Sequence, residues 1–306
     1  MKLVTYRSNI ESEARLGMIM ENLIIDIETF GAEHGQDLPN TMLGLIDTGQ
    51  PGLQTLKALV TSIDSHPPIH CSVPLANAKL CAPIPRPRKN IWGIGLNYTE
   101  HVAESARALD TANELPQKPI LFTKPPTCVI ATGEPILHDA SMTQQLDWEV
   151  ELAVIMMSGG KHIPIDEAMN HVFGYSVMID VSARDNRRSG QWIFSKGQDS
   201  FGPFGPCIVT TDEITDPHNL ELWLTKNGEE KQRSNTKFLL FDIPTLIADI
   251  STGMTVEPGD IIATGTPAGV GAGRDPQEWM WPGDRIVACV EGIGSLHHPI
   301  VNATPE

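Results

Sequence analysis

Residues 146–154 read LDWEVELAV, and this stretch decides how the fold around it is interpreted. Apolar and charged side chains alternate strictly, and a period of two predicts a β-strand rather than a helix. On a strand the acidic and the apolar side chains point to opposite faces. The acidic face holds Asp147, Glu149 and Glu151, and the apolar face holds Trp148, Val150 and Leu152.

The acidic face has two interpretations. Neighbouring carboxylates repel one another, so water or a cation has to compensate their charge. Water would do so on the solvated face of an edge strand. A hard divalent cation such as Mg²⁺, Mn²⁺ or Ca²⁺ would do so in a metal site built from carboxylate oxygens. The second interpretation requires further ligands and a substrate pocket elsewhere in the chain.

The composition of the chain limits its partners. With 306 residues the chain is long enough for one large core, or for a small domain and a larger one. The net charge of −16 argues against nucleic acid and anionic membranes as partners. We find no signal segment, no apolar run of about 18 residues, and no CxxC among the five cysteines. We therefore expect an acidic, soluble, cytoplasmic protein with reduced thiols.

Two domains are predicted. Residues 1–78 combine short strand-like runs with two stretches of helical spacing, which indicates a small N-terminal α/β domain. A proline-rich connection follows, and residues 79–306 form the second domain. Its β-branched runs are separated by glycine and proline without regular helix–strand alternation, which disfavours a doubly wound parallel sheet. We expect an α+β fold, mostly β, with mixed strands after residue 78.

A histidine and a glutamate three residues apart provide a candidate base. His101 and Glu104 lie in a helix-like stretch, where residues i and i+3 face the same way. Glu104 can accept a hydrogen bond from one imidazole nitrogen and leave the other free to move a proton. A surface His–Glu pair without function is the alternative. Since the stretch has little apolar surface, we expect residues 97–115 to be mobile without ligand.

Three further segments carry polar groups that a packed core would not select. Asp180 ends an apolar strand and could supply a third metal ligand, or cap the following turn. Lys196 lies in a glycine- and proline-rich loop, where it could face a substrate anion or be solvated. Thr264 and Thr266 alternate with glycines in a turn whose backbone N–H groups can meet an anion.

In this order, the segments resemble the fumarylacetoacetate hydrolase family. The resemblance rests on IGLNYTEHVAE, FTKPP, DWEVELAV, DVSARD, the loop from Lys196 to Pro206, and TGTPAGVG, and it covers residues 80–295. It implies a mixed β-roll catalytic domain preceded by a small N-terminal domain, and a homodimer. It also implies an Mg²⁺ or Mn²⁺ ion that binds the 2-oxo acid part of a small substrate.

The resemblance assigns functions to individual residues of this chain. The implied metal ligands are Glu149, Glu151 and Asp180. The implied catalytic residues are His101 and Glu104, carried on a mobile lid, and Lys196, which stabilises an enolate. The positions that match the lining of the substrate pocket are Arg184 and Thr266.

The chain departs from the family at one position. Many relatives have a glutamine three residues after the arginine of the Asp-x-x-x-Arg stretch, and this chain has Arg187 there. Arg187 or Gln191 could replace that glutamine in substrate binding. An arginine would favour a substrate with a second carboxylate.

These groups permit several reactions at one metal centre. A metal ion chelated by a 2-oxo acid is a Lewis acid, and Lys196 would add a fixed positive charge. If His101 activates a water, the site hydrolyses a C–C bond in an acylpyruvate or fumarylpyruvate type of substrate. This Mg²⁺-dependent catabolic hydrolase is the function that we predict first. The alternatives at the same site are oxaloacetate decarboxylation and isomerisation, either keto–enol or of a 2-hydroxydienoate.

A non-catalytic metal-binding module is the alternative from another class of protein. Such a module would need the carboxylates but neither the His101–Glu104 pair nor Lys196. The sequence therefore favours an enzyme.

Overall fold

The computed structural model describes residues 1–61, 63, 68–108 and 115–303, the side chains of 105–108 excepted. The strands are β1 (Lys2–Arg7), β2 (Arg15–Met20), β3 (Leu23–Asp26), β4 (Ser72–Pro74), β5 (Lys79–Leu80), β6 (Ile91–Gly95), β7 (Ile120–Lys124), β8 (Val129–Ile130), β9 (Ile136–His138), β10 (Leu146–Asp147), β11 (Val150–Met156), β12 (Val172–Ile179), β13 (Ser182–Ala183), β14 (Gly202–Thr210), β15 (Glu221–Lys226), β16 (Glu229–Asn235), β17 (Ile261–Ala263), β18 (Arg285–Val290) and β19 (Gly294–Asn302). The helices are α1 (Ile27–Glu33), α2 (Met42–Asp47), α3 (Gly49–Thr61), α4 (Thr99–Ala108), α5 (Ile193–Lys196) and α6 (Ile243–Gly253).

In the described part of the chain, most strands belong to two sheets of mixed direction. The larger sheet has 12 strands and runs β4-β3-β2-β1-β14-β12-β11-β17-β6-β7, with β5 added to β1 and β8 added to β14. The second sheet runs β16-β15-β18-β19-β9. Most pairs are antiparallel, but β8–β14, β6–β17 and β9–β19 are parallel. The expected α+β, mostly β fold of mixed strands is confirmed.

The N-terminal residues extend the larger sheet. β1 pairs with β14, so that Lys2 lies opposite Val209 and Leu3 opposite Ile208. β2, β3 and β4 continue the sheet outward, while α1 and α2 contact its strands. A small N-terminal α/β region is therefore present. The predicted boundary after residue 78 stays a prediction, because the sheet runs without interruption across the two parts.

β11 is a central strand. It is hydrogen-bonded to β12 on one side and to β17 on the other. All of its residues, Val150–Met156, are buried. The solvated edge that we considered for the acidic face is therefore wrong, because neighbouring strands cover both edges of β11 and packing covers both faces.

The stretch 146–154 is not one continuous strand, contrary to the sequence prediction. It forms β10 and β11, with Trp148 and Glu149 between them. β10 pairs with β13, and the Asp147 carboxylate accepts hydrogen bonds from the backbone N–H groups of Trp148 and Gly271. These bonds turn the chain because a side chain, rather than a neighbouring strand, satisfies the backbone donors.

One hydrophobic core joins the two parts of the chain. It extends from Leu3 on β1 through Val154 on β11 to Ile300 on β19. Such burial of apolar side chains is the main favourable contribution to folding. Among the described residues, no helix combines the length and the apolar character that crossing a membrane requires.

Candidate metal centre and active site

Three carboxylates meet where β11 and β12 lie side by side. The N–H of Asp180, just after β12, donates to the Glu149 carbonyl at 2.8 Å, and Glu151 lies two residues further along. In an antiparallel pair, residues opposite each other and those two positions away share a face. One side-chain oxygen each from Glu149, Glu151 and Asp180 consequently lies within 4.8 Å of the other two. We call these residues the carboxylate triad; that they ligate a metal stays a prediction.

Two buried lysines balance part of the negative charge. Lys196 Nζ lies 2.8 Å from Glu149 Oε2 and 2.5 Å from Asp180 Oδ2. Lys124 Nζ donates to Asp180 Oδ1 at 2.6 Å and to the Val181 carbonyl at 3.3 Å. It also donates to the Lys196 carbonyl. Lys124 thus connects the end of β7 both to the triad and to the backbone that carries Lys196.

The sequence prediction missed Lys124. FTKPP contributed only to the family resemblance, and Lys124 received no function of its own. The available signal was a lysine at the end of a β-branched, aromatic run, since a fully buried lysine requires a charged or polar partner.

Arg184 is committed to carboxylates. Its Nε lies 2.8 Å from Asp147 Oδ2, and its Nη2 lies 2.5 Å from Glu149 Oε1. Asp147 also accepts the N–H groups of Gly271 and Ala272, at 2.6 and 3.0 Å. Asp147 therefore holds Arg184 and this turn in place and does not join the triad.

Burial and neighbouring charges set the protonation of the triad. Burial, together with Asp180 and Glu149, raises the pKa of Glu151 well above its usual range. Burial opposes ionisation of Glu149 too, but Lys196 and Arg184 outweigh it and lower the pKa of Glu149. For Asp180 burial prevails over the neighbouring lysines and raises the pKa. Burial disfavours the Lys196 ammonium, yet Asp180 and Glu149 raise its pKa, so Lys196 is a cation.

The triad fits a divalent cation. Glu151 Oε2 accepts the N–H of Gly265 at 2.8 Å, whereas the buried Oε1 has no hydrogen-bond partner among the described residues. A buried carboxylate oxygen without a partner is costly, and a hard cation with oxygen ligands would satisfy it. The buried acidic groups here are Asp147, Glu149, Glu151 and Asp180, against the cationic groups Lys124, Arg184 and Lys196. The excess of negative charge agrees with a site for a metal ion.

His101 and Glu104 lie on α4, beside the triad. His101 Nδ1 is 3.1 Å from Glu104 Oε2, and both side chains are buried. The N–H of Gly269 donates to both oxygens of Glu104, at 3.0 and 3.2 Å. His101 lines the cavity, and its Nε2 makes no hydrogen bond within the described part of the chain. The predicted pair is assembled, and its free nitrogen is available for proton transfer.

The α4 helix packs on the turn Gly271–Gly273. A Cβ atom at Gly273 would lie 2.2 Å from the Glu104 carboxyl carbon, so any larger residue there would displace the Glu104 side chain from this position. The predicted mobility of residues 97–115 stays a prediction, and residues 109–114 lie outside the described residues.

A buried glutamine connects the Thr266 turn to β11. Gln232 Nε2 donates to Thr266 Oγ1 at 2.8 Å, and Gln232 Oε1 accepts the N–H of Val150 at 3.0 Å. Thr266 Oγ1 donates to the Val150 carbonyl at 2.9 Å. The sequence prediction missed Gln232, because it lies in the polar stretch EEKQRSN, where nothing distinguishes it from its more exposed neighbours.

One cavity joins most of the predicted site residues. Its wall includes His101, Glu149, Arg184, Arg187, Lys196 and Thr266. Trp192 and Ser195 also line it, although the sequence analysis did not single them out. Gln191 is exposed and lies outside this wall, so the structure does not bring it to the predicted substrate pocket.

The fold and this site place the chain among metal-dependent enzymes. Residues 90–301 match the model of the family described as "Fumarylacetoacetate (FAA) hydrolase C-terminal". The chain belongs to the fumarylacetoacetate hydrolase family, as the resemblance implied. Membership in a family of enzymes disfavours the alternative interpretation of the chain as a non-catalytic metal-binding module.

Two relatives of known name share one activity. Over 306 residues the chain is 36% identical to the mitochondrial oxaloacetate tautomerase fahd2 of Xenopus laevis, covering 98% of this chain and 90% of the relative. Over 227 residues it is 41% identical to the oxaloacetate tautomerase YisK of Bacillus subtilis, covering 74% of each.

A solved structure of similar fold contains a metal ion. Maleylpyruvate hydrolase from Sphingobium sp. SYK-6, in complex with manganese(II) and pyruvate, matches with a TM-score of 0.77 at 28% identity. The match covers 99% of this chain and 100% of that one.

Proposed function

We propose that this protein is a divalent-cation-dependent tautomerase that interconverts the keto and enol forms of oxaloacetate. The observation that carries the proposal is that His101 lines the same cavity as Lys196 and Glu149, the member of the triad that reaches the cavity wall. Enolisation needs a group that moves a proton and a positive charge near the oxygen. The two tautomerase relatives support this isomerisation over the C–C bond hydrolysis that the sequence predicted first.

The carboxylate triad would hold the cation. Its oxygens suit Mg²⁺ or Mn²⁺, and manganese is bound in the maleylpyruvate hydrolase structure. When bound, the cation supplies a Lewis acid for the 2-oxo carboxylate end of the substrate.

His101 is the residue that we assign to proton transfer at C3. Glu104 is hydrogen-bonded to Nδ1, which leaves Nε2 to take the C3 proton of the keto form and give an enolate, whose oxygen takes a proton from solvent to complete the enol. In the reverse conversion the oxygen loses its proton to solvent as Nε2 returns a proton to C3. Lys196 offsets the negative charge that grows on the carbonyl oxygen as the C3–H bond breaks. Since Lys196 is held as a cation by Glu149 and Asp180, it acts through its charge and not as a base or nucleophile.

Hydrolysis of an acylpyruvate is the second candidate. The similarity to maleylpyruvate hydrolase over nearly the whole chain favours it. In this case His101 would activate a water instead of taking a proton from C3. Oxaloacetate decarboxylation and 2-hydroxydienoate isomerisation are further alternatives at the same site.

The enol absorbance of oxaloacetate tests the proposal directly. We expect the purified protein to accelerate enol-to-keto conversion with Mn²⁺ or Mg²⁺ and to lose this activity in EDTA. His101→Asn should lose turnover but still bind Mn²⁺, because His101 moves a proton and is not part of the triad. Pyruvate release from acetylpyruvate and from oxaloacetate, measured on the same preparation, tests hydrolysis and decarboxylation. If either release is faster than tautomerisation, the proposal is wrong.

The homodimer and the cytoplasmic location that the sequence analysis led us to expect are also part of this proposal. The homodimer is tested by light scattering coupled to size-exclusion chromatography. The cytoplasmic location stays a prediction, and the Xenopus laevis relative is described as mitochondrial.

A further inference from the structure

Arg187 differs from the other arginines that the structure describes. It is half-buried in the wall of the active-site cavity. The other described arginines that are not exposed donate to a carboxylate or a backbone carbonyl; these are Arg7, Arg15, Arg184 and Arg274. The Arg187 guanidinium makes no hydrogen bond or ion pair with any described residue. It is therefore a partly desolvated cation without an acceptor.

The surroundings of Arg187 do not provide a negative group that compensates its positive charge. Its guanidinium carbon lies 5.2 Å from the centre of the Trp192 ring, which restricts the side chain and shields it from water. Burial, and then the positive charge of Arg184, lowers the pKa of Arg187 from its usual value, and Glu149 opposes this only in part. An anion in the cavity would supply the missing partner.

The other cationic side chains of the cavity wall already form ion pairs with carboxylates. Arg184 is occupied by Asp147 and Glu149, at 2.8 and 2.5 Å. Lys196 is occupied by Glu149 and Asp180. Of the described cationic side chains in the cavity wall, Arg187 is the one that no carboxylate pairs with.

We infer that Arg187 binds the second carboxylate of a dicarboxylic 2-oxo acid and makes the cavity selective for substrates of this class. The inference rests on the proposed function, in which the 2-oxo carboxylate end of the substrate lies at the triad. A guanidinium matches a carboxylate with two parallel N–H···O bonds. Because Trp192 already restricts Arg187, little side-chain freedom is lost when those bonds form.

The chain offers a matched control in the next residue. Arg188 is exposed, lies against Phe194 and is not part of the cavity wall. Arg187→Gln and Arg188→Gln therefore make the same change of charge inside and outside the cavity. Both variants are compared with the wild type on oxaloacetate and on 2-oxobutanoate, in which a methyl group replaces the second carboxylate. Turnover is followed as hydrogen exchange at C3 in deuterated water, and binding by tryptophan fluorescence with Mn²⁺ present.

We expect Arg187→Gln to weaken oxaloacetate binding and kcat/KM by roughly 10- to 100-fold, the effect of losing a charge-assisted pair. Both quantities should stay unchanged for 2-oxobutanoate, and Arg188→Gln should change neither substrate. Arg187→Lys keeps the charge but not the planar fork, so it should show a smaller loss of the same selectivity.

Equal losses on both acids, or an unchanged affinity for oxaloacetate, would overturn the inference. If Arg187→Gln does not fold, Arg187→Lys replaces it in the test. A loss on oxaloacetate alone then supports the inference, and equal losses on both acids overturn it. If the wild type turns over neither acid, the proposed function fails, while the binding comparison still decides the role of Arg187.

Discussion

At the scale of single residues, Glu151 is the member of the triad whose charge no described cation contacts. Glu149 faces Lys196 and Arg184, whereas Glu151 accepts only the backbone N–H of Gly265. A charge buried in this way destabilises the metal-free protein unless a proton or a cation neutralises it. The same residue is therefore expected to reduce stability without metal and to be required for metal binding.

Glu151→Gln separates these two effects. Without metal we expect the free energy of unfolding to stay equal or to rise by up to about 2 kcal/mol, because the amide removes an unpaired charge and can still accept the Gly265 N–H. Mn²⁺ binding and metal-dependent activity should be lost. Thermal unfolding in EDTA and a Mn²⁺ titration check both points. A clear decrease in Tm in EDTA would contradict the prediction.

Lys124→Met should lower the free energy of unfolding of the metal-free protein, in contrast to Glu151→Gln. It leaves Asp180 Oδ1 and two backbone carbonyls without their shared donor, and breaking a buried pair on one side costs about 3–5 kcal/mol. Because a bound cation would compensate the buried Asp180 oxygen that loses its partner, Mn²⁺ should raise the Tm of the variant more than that of the wild type. Lys89→Met is the control, since Lys89 pairs with Asp260 away from the triad. An equal response to Mn²⁺ in both variants would place Lys124 outside the metal site.

At the scale of elements, α4 and the turn Gly271–Gly273 position the His–Glu pair together. The i, i+3 spacing on the helix aligns His101 with Glu104, and the Gly269 N–H then fixes the glutamate. The turn leaves space for Glu104 only because residue 273 has no side chain. The base is thus oriented by two segments more than 150 residues apart, as the pair Glu104 and Gly269 is separated by 165 positions.

Gly273→Ala tests this arrangement. The added Cβ would overlap the Glu104 carboxylate, so we expect kcat to fall by about 10²-fold, which is the low end for general acid–base catalysis. Mn²⁺ binding should remain, because the triad does not include Glu104. Gly253→Ala at the end of α6 is the matched control, since a Cβ there meets open space. Steady-state kinetics with an unchanged kcat for Gly273→Ala would show that Glu104 does not need this position.

At the scale of the whole molecule, the N-terminal residues are part of the structure that supports the site. β1 covers one edge of β14, and β14 pairs in turn with β12, at whose end Asp180 lies. An uncovered sheet edge with apolar neighbours promotes aggregation. The N-terminal residues therefore protect a strand that is one pairing away from the triad.

A chain that starts at residue 79 should not be stable by itself. It lacks β1, so the edge of β14 loses its partner, and the core loses side chains such as Leu3 and Leu16. We expect aggregation, or a lower Tm than for the full chain, in size-exclusion chromatography and thermal unfolding. A monodisperse, active fragment would instead show that residues 79–306 form an independent domain, as the predicted boundary suggests.

The sequence by itself determined the local relations within this protein. The period of two placed Glu149 and Glu151 on one face, and the spacing of three placed His101 beside Glu104, because backbone geometry alone sets these relations. The order of the motifs identified the family and with it the α+β, mostly β fold.

Only the tertiary structure decided what surrounds each local pattern. Strands β12 and β17, distant in sequence, make β11 central, so its acidic face is buried and not solvated. Lys124 reaches Asp180 across 56 residues, and Gln232 is buried within a polar stretch. Arg187 enters the cavity while Gln191 remains at the surface. The physical reason is that periodicity determines which side chains share a face, whereas the partners that cover this face come from pairings between distant segments.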